Sequence, residues 1–218
     1  MERRQFLTCL VAAALAPSAV ATSSSAEYDC VVVGGGTAGL SAALSLGRAR
    51  RSVLVCVGGP PRNAAVAHAH NLFTRDGTSP SELLNLGRSQ LTPYTTVRLV
   101  RREVEAAERA EAGGFRLRLS DGSEVKTRKL MLATGVADAL SSPSGLQRCW
   151  GKNVFSCPFC HGWEVRDQPW AVVVDKAAMV PVAKMCLNWT RQLVVCTHGS
   201  YAPSTEVLAD FARLGVPV

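Results

Sequence analysis

The stretch Tyr28-Asp29-Cys30-Val31-Val32-Val33-Gly34-Gly35-Gly36-Thr37-Ala38-Gly39-Leu40 decides the fold. Its opening residues form a short, nearly continuous apolar run, the pattern of a parallel strand buried on both faces. Gly34, Gly36 and Gly39 follow at G-x-G-x-x-G spacing. Their respective tasks are a tight turn, room for a pyrophosphate and close packing of helix on strand. Ser41 to Gly47 continues as a small-residue helix, whose N-terminal amides, with Thr37 and Ala38 in the turn, are free to meet phosphate oxygens. Arg51 to Val57 is a second apolar run. Strand, glycine turn, helix and strand within about thirty residues make the βαβ unit that opens a Rossmann-type domain. The second strand of such a unit usually ends in an acid for the ribose hydroxyls. Val57 and Gly58 stand there instead, so the sequence supports phosphate binding better than ribose binding.

Beyond this unit, Gly58 to Thr78 reads as an irregular loop rich in Gly, Pro, His and Asn. Ser79-Pro80 predicts the start of a helix that runs from about Ser81 to Leu91. Thr95 to Val104 reads as one strand. Phe115 to Leu119 alternates apolar and polar, Asp121-Gly122 turns the chain, and Val125 to Leu132 returns, which predicts a β-hairpin. A second unit begins with the strand Trp170 to Val174. It continues through a helix at Ala177 to Trp189, a strand at Leu193 to Cys196 and a helix at Thr205 to Leu214. The expected class is α/β: a Rossmann-like domain with a parallel sheet and hairpin insert over 27–163, then a partial second dinucleotide-fold domain over 164–218.

A chain of 218 residues can bury one large core or about one and a half ordinary domains. The formal net charge is +7, with basic clusters at Arg48, Arg50, Arg51 and at Arg98, Arg101, Arg102. No regular aromatic spacing accompanies them, so solvated faces are expected rather than a nucleic-acid surface. At the N-terminus Arg3-Arg4-Gln5-Phe6-Leu7 precedes an apolar run to Ala16, and Ala19-Val20-Ala21 fits the small-x-small cleavage rule. That pattern resembles a twin-arginine signal over 1–26 and predicts export of the folded protein to the periplasm or beyond. An uncleaved membrane anchor, or a cytoplasmic chain with a fortuitous basic start, is the alternative. The run is shorter than the roughly 20 apolar residues that a spanning helix needs, so no membrane contact is expected after cleavage.

Eight cysteines in an exported chain could form a disulfide framework, but their placement argues against it. Cys9 lies in the signal. Cys30, Cys56 and Cys196 sit in strand-like runs and Cys186 in a helix-like one, where a thiol acts as a small buried hydrophobe; Cys149 reads as a bystander. Cys157-Pro158-Phe159-Cys160 is different. C-x-x-C spacing at a helix-initiating turn lets two sulfurs reach bonding distance, about 2 Å, and lowers a thiol pKa. Zinc binding and inert packing are the alternatives. No second C-x-x-C or spaced histidine pair supports zinc, and His161 is too close to serve easily as a third ligand, so no metal is expected.

Together, Val31 to Leu40, Pro61-Arg62-Asn63, His70-Asn71-Leu72 with Asp76-Gly77, Ala133-Thr134-Gly135, Trp150-Gly151 and the string Cys157 to Glu164 resemble the low-molecular-weight thioredoxin reductase family. The Cys-Pro-aromatic-Cys-His-Gly-aromatic-Glu string is similar to the branch containing dithiol oxidases of the gliotoxin-biosynthesis type. The likeness runs from about Tyr28 to Val218. It implies FAD as cofactor, held by Gly34, Gly36, Thr37, Ala38 and Gly39, by Arg62 and Asn63, and by Ala133, Thr134 and Gly135 beside the flavin. It also implies that Cys160 faces the flavin and Cys157 exchanges with substrate. His161 stands where thioredoxin reductases carry an acid–base aspartate, and an ordinary pKa of about 6.5 suits proton transfer, a structural role being the alternative. His68 and His70 are expected on the loop surface or next to the flavin. The implied partners are a small dithiol or a thioredoxin-like protein, and the implied assembly is a homodimer.

Three departures qualify the resemblance. The strand ending at Val174 is followed by Asp175-Lys176-Ala177-Ala178-Met179-Val180, with no glycine where an NADP-binding loop belongs, so side chains would crowd a pyrophosphate. Val57 replaces the ribose acid. The family's return segment to the FAD domain is missing, which points to a fragment or a truncated product with an incomplete cofactor site. The favoured chemistry is dithiol oxidation through Cys157 and Cys160 to flavin and then an acceptor such as dioxygen. An NADPH-dependent disulfide reductase and a non-catalytic remnant are the rivals.

Overall fold

The computed structural model describes residues 27–140 and 144–218; the expected signal, at 1–26, lies outside the described residues. The first unit opens with β1 (Glu27–Val33), α1 (Thr37–Arg48) and β2 (Val53–Cys56), followed by α2 (Pro80–Ser89) and β3 (Val97–Val100). β4 (Val104–Arg109), β5 (Phe115–Leu119) and β6 (Glu124–Leu132) complete a sheet of order β3-β2-β1-β6-β5-β4. β1 runs parallel to β2 and β6, and β2 runs parallel to β3, whereas β4, β5 and β6 form an antiparallel meander.

The apolar runs form central strands because both of their faces are covered. Val32 packs with Val55, Leu40, Ala43 and Leu84 on the helical side. Val31 packs with Leu54, Cys56, Leu117 and Leu119 on the other, so the sheet curls until the inward residues of β5 cap the face opposite α1. Every residue of β2 is buried. α2 begins as its sequence predicts: the Ser79 hydroxyl accepts from the Glu82 amide at 3.2 Å and Pro80 occupies the first turn, where a missing N–H costs nothing.

The expected single strand over Thr95 to Val104 is two strands. β3 and β4 lie at opposite edges of the sheet order, and Arg101, Arg102 and Glu103 connect them. These three exposed residues belong to neither strand, and the curl allows so short a link; Arg102 meets Asp121 at 2.8 Å. The predicted hairpin is present as β5 and β6, with β4 added to it.

After α3 (Leu146–Cys149) and α4 (Pro158–His161), the second unit contains β7 (Trp170–Val173), α5 (Val180–Met185), β8 (Leu193–Cys196) and α6 (Thr205–Arg213). β7 and β8 are parallel. The helix expected over Ala177 to Trp189 is broken into a 3-10 turn at Ala177–Met179, α5, and another 3-10 turn at Cys186–Asn188. Pro181 explains the first break, since it has no N–H to donate back to Ala177. Cys196 is a second correction: it is exposed, because only the Leu193 and Val195 face of β8 is packed. Cys30, Cys56 and Cys186 are buried as expected, and burial pushes the Cys56 thiol up to about 11. Among the described residues no helix is long and apolar enough to cross a membrane.

Candidate functional site

The glycine turn connects β1 to α1, and two of its glycines have no room for a side chain. Gly34 has φ +117°, and a Cβ there would run into the Ala133 carbonyl; one on Gly39 would run into the Gly34 carbonyl. Gly36, in contrast, faces open space, with nothing within 4 Å of where a Cβ would sit. No side chain caps α1 and no acid lies in its first turn. The Thr37, Ala38 and Gly39 amides therefore keep the unmatched N–H character of a helix start. An open approach over Gly36 towards uncapped amides fits the diphosphate of a dinucleotide such as FAD. The Ala133 amide donates to the Val33 carbonyl at 2.8 Å, so Ala133-Thr134-Gly135 leaves β6 directly beside this turn.

Arg62 and Asn63 open a 3-10 turn at Arg62–Ala65. The Arg62 guanidinium is committed to Asp138, donating at 2.8 and 2.6 Å to its two carboxylate oxygens, and this pairing holds the Asp138 carboxyl below its usual range. Asp138 was not legible as a partner, because 76 residues separate it from Arg62. The pair ties the 3-10 turn to the segment after Gly135. Gly151 lies against the same turn, where a Cβ would press on the Ala65 carbonyl.

Cys157 is the N-cap of α4 and Pro158 its first residue, so the single turn brings the two cysteines to a Cα separation of 5.3 Å, joined as a disulfide. Gly162 lets the turn sit against the second unit: a Cβ there would approach the indole rings of Trp189 and Trp170 to 2.9 and 3.0 Å. Phe159, between the two cysteines in sequence, lies edge-on to Trp189 at 5.2 Å and is 60% exposed, and Trp163, with the Arg166 guanidinium 4.0 Å over its ring, is 66% exposed.

The His161 ring stacks on Phe155 at 4.3 Å, and both of its ring nitrogens are buried without a hydrogen-bond partner among the described residues. Burial lowers its pKa, the Glu164 charge pulls it back up, and His70 adds to the lowering. His70 stands between Asp76 and Glu164, 3.6 Å from each. His68 is apart from this group, its Nδ1 lying 3.0 Å from the Gly77 carbonyl. Sequence reasoning quoted Glu164 within its motif but gave it no role, and it passed over Phe155 entirely. A surface cleft of about 940 Å³ lies among residues of β4, β5 and β6 and the loop 110–114, and its lining includes neither the glycine turn nor the disulfide.

A mixed sheet with a parallel half and a dinucleotide-type turn, a C-x-x-C disulfide on a one-turn helix and a further parallel strand pair are the features by which the chain can be compared with known proteins. Residues 28–180 match the family described as pyridine nucleotide-disulphide oxidoreductase, and the chain belongs to it. A probable thioredoxin reductase of Arthroderma benhamiae is 37% identical over 172 residues, which are 77% of this chain and 43% of that protein. A thioredoxin reductase of Aspergillus oryzae is 35% identical over 79% of this chain and 57% of its own length. The crystal structure of a putative thioredoxin reductase from Bacillus anthracis superposes with a TM-score of 0.84 at 31% identity, covering 87% of this chain and 64% of that one. The chain thus spans about half the length of these two curated relatives.

Proposed function

We propose that this chain forms the flavin-binding and thiol-exchanging part of an FAD-dependent dithiol oxidase. The observation that carries the reading is the Cys157–Cys160 disulfide followed directly by a histidine whose two nitrogens are buried and unpartnered. A substrate thiolate attacks Sγ of Cys157, the S–S bond breaks, and Cys160 leaves as thiolate. The second substrate thiol then attacks the mixed disulfide, so the substrate departs oxidised and both enzyme cysteines are left reduced. His161, its imidazolium disfavoured by burial, accepts the proton of the second thiol, and its nitrogens have no competing partner among the described residues. The exposed Phe159 and Trp163 give an apolar dithiol a surface to rest on.

Gly34, Gly36, Thr37, Ala38 and Gly39 would hold the diphosphate of FAD, and Arg62, Asn63, Ala133, Thr134 and Gly135 its flavin half. Bound FAD would supply the two-electron acceptor for the reduced cysteines and a route onward to dioxygen, yielding hydrogen peroxide. Dioxygen is favoured over NADP because the turn after β7 carries Asp175 and Lys176 in place of glycines. The reading also includes a division into a first domain at 27–163 and a second at 164–218.

A second reading, an NADPH-dependent disulfide reductase, is favoured by the names of the three relatives described above, each called a thioredoxin reductase. Anaerobic absorbance titration separates the two. Dithiothreitol is expected to bleach the flavin band, air to restore it, and NADPH to leave it unchanged. Bleaching by NADPH would move the assignment to the reductase, and a colourless protein would leave only a non-catalytic remnant.

The pH profile gives a further prediction. Neutral His161 is the active form, so activity falls as pH drops through its lowered pKa. In Glu164→Gln the charge that favours the imidazolium is gone, the pKa falls further, and the acid limb of the rate profile moves to lower pH. An acid limb that stays in place or moves upward would remove His161 as the titrating base.

A further inference from the structure

We infer that Glu103 supplies the ribose-binding carboxylate that the end of β2 lacks, an inference that rests on FAD being the bound dinucleotide. The position where a Rossmann unit carries its acid has become packing surface: a Cβ on Gly35 would meet the Val57 side chain at 2.5 to 3.1 Å, so Val57 fills the space beneath the glycine turn. The next residue, Gly58, has no side chain, and Glu103 occupies the space beside it. A methyl group on Gly58 would lie 3.2 Å from Cγ of Glu103 and 3.5 Å from its Oε1. The carboxylate therefore stands at the carboxyl end of β2, next to the residue that lost the acid, but it is delivered from the link between β3 and β4.

Its placement is fixed by the backbone. The Glu103 amide donates to the Ser120 hydroxyl at 3.2 Å, and the Ser120 amide donates back to the Glu103 carbonyl at 2.9 Å. Nearby, the Val57 amide donates to the Val100 carbonyl at 2.8 Å, which holds the ends of β2 and β3 together. The cation next in sequence does not neutralise Glu103, since Arg102 is bonded to Asp121 and to the Arg101 carbonyl. Among the described residues the Glu103 carboxylate has no ion-pair or hydrogen-bond partner. An unpaired, positioned carboxylate at the end of the second strand can accept from ribose hydroxyls, as the missing acid would. This also gives the strand break at Arg101 to Glu103 a purpose, because a continuous strand would not deliver residue 103 to this edge.

The test is flavin affinity, measured by fluorescence quenching after removal of bound flavin, with FAD and with FMN, which has no adenosine. Glu103→Gln keeps the size of the side chain and removes its charge. FAD binding is expected to weaken on the order of tenfold while FMN binding is unchanged. Equal FAD affinity in the two proteins would overturn the proposal while leaving the flavin reading intact. Parallel losses for FAD and FMN would overturn it as well, by showing that Glu103 only supports the fold. Wild-type protein that takes up neither flavin would overturn the flavin reading along with it.

Discussion

Cys160→Ser is expected to abolish reduction of bound flavin by dithiols, a loss on the order of 10³-fold or more in rate, while the flavin stays bound. In the proposed function the disulfide on α4 takes the substrate's electron pair and passes it to the flavin. A serine at 160 keeps the shape of the turn, capped by Cys157 and started by Pro158, but cannot form the S–S bond. Cys157 remains a free thiol and should form a mixed disulfide with a symmetric monothiol disulfide, visible as a mass increase that persists because neither residue 160 nor the bound half of the probe carries a second sulfur to resolve it. Stopped-flow absorbance reads the first effect and intact-mass measurement the second. Wild-type bleaching rates in the variant would mean that dithiols reach the flavin without the cysteine pair, and the proposed chemistry would not survive that result.

Much of this arrangement could be read directly from local sequence. The apolar run at Val31 to Val33 and the glycines at 34, 36 and 39 carry their own steric reasons, and the structure shows Gly34 and Gly39 in contacts that no side chain could share. The disulfide was legible because its geometry is local, three residues apart on one turn. What stayed hidden depends on residues distant in sequence. Asp138 takes Arg62 across 76 residues, His70 reaches Glu164 across the unit, and Phe155 stacks on His161 only because α4 folds back on the preceding loop. The break between β3 and β4 falls at the three consecutive charged residues Arg101, Arg102 and Glu103, which were read through because Val97, Leu99, Val100 and Val104 flank them with apolar residues; sheet curl, a tertiary property, decides where the strand ends. Cys196 was misplaced for a similar reason. Strand periodicity shows that alternate residues share a face, and which face is covered depends on what packs against it.

Phe211→Ala tests the proposed division of the chain with a large effect on stability. Phe211 is fully buried on α6, within a core made with Val174, Val180, Ala183, Leu193, Val195 and Val216. Truncating a buried phenylalanine typically costs about 3–5 kcal/mol, through lost transfer energy and the cavity left behind. This core is small and backed by a two-stranded sheet, so a loss of that size should unfold the second unit. The first unit does not share the core: Val31, Leu54 and Leu117 form one cluster there, and Val32, Val55 and Leu84 another. Hydrogen exchange in the variant should therefore rise across β7, β8 and α6 while β1, β2 and β6 stay protected, and flavin should remain bound. Deprotection spreading evenly through both units would show that they unfold as one body, and the boundary near residue 163 would have to be given up.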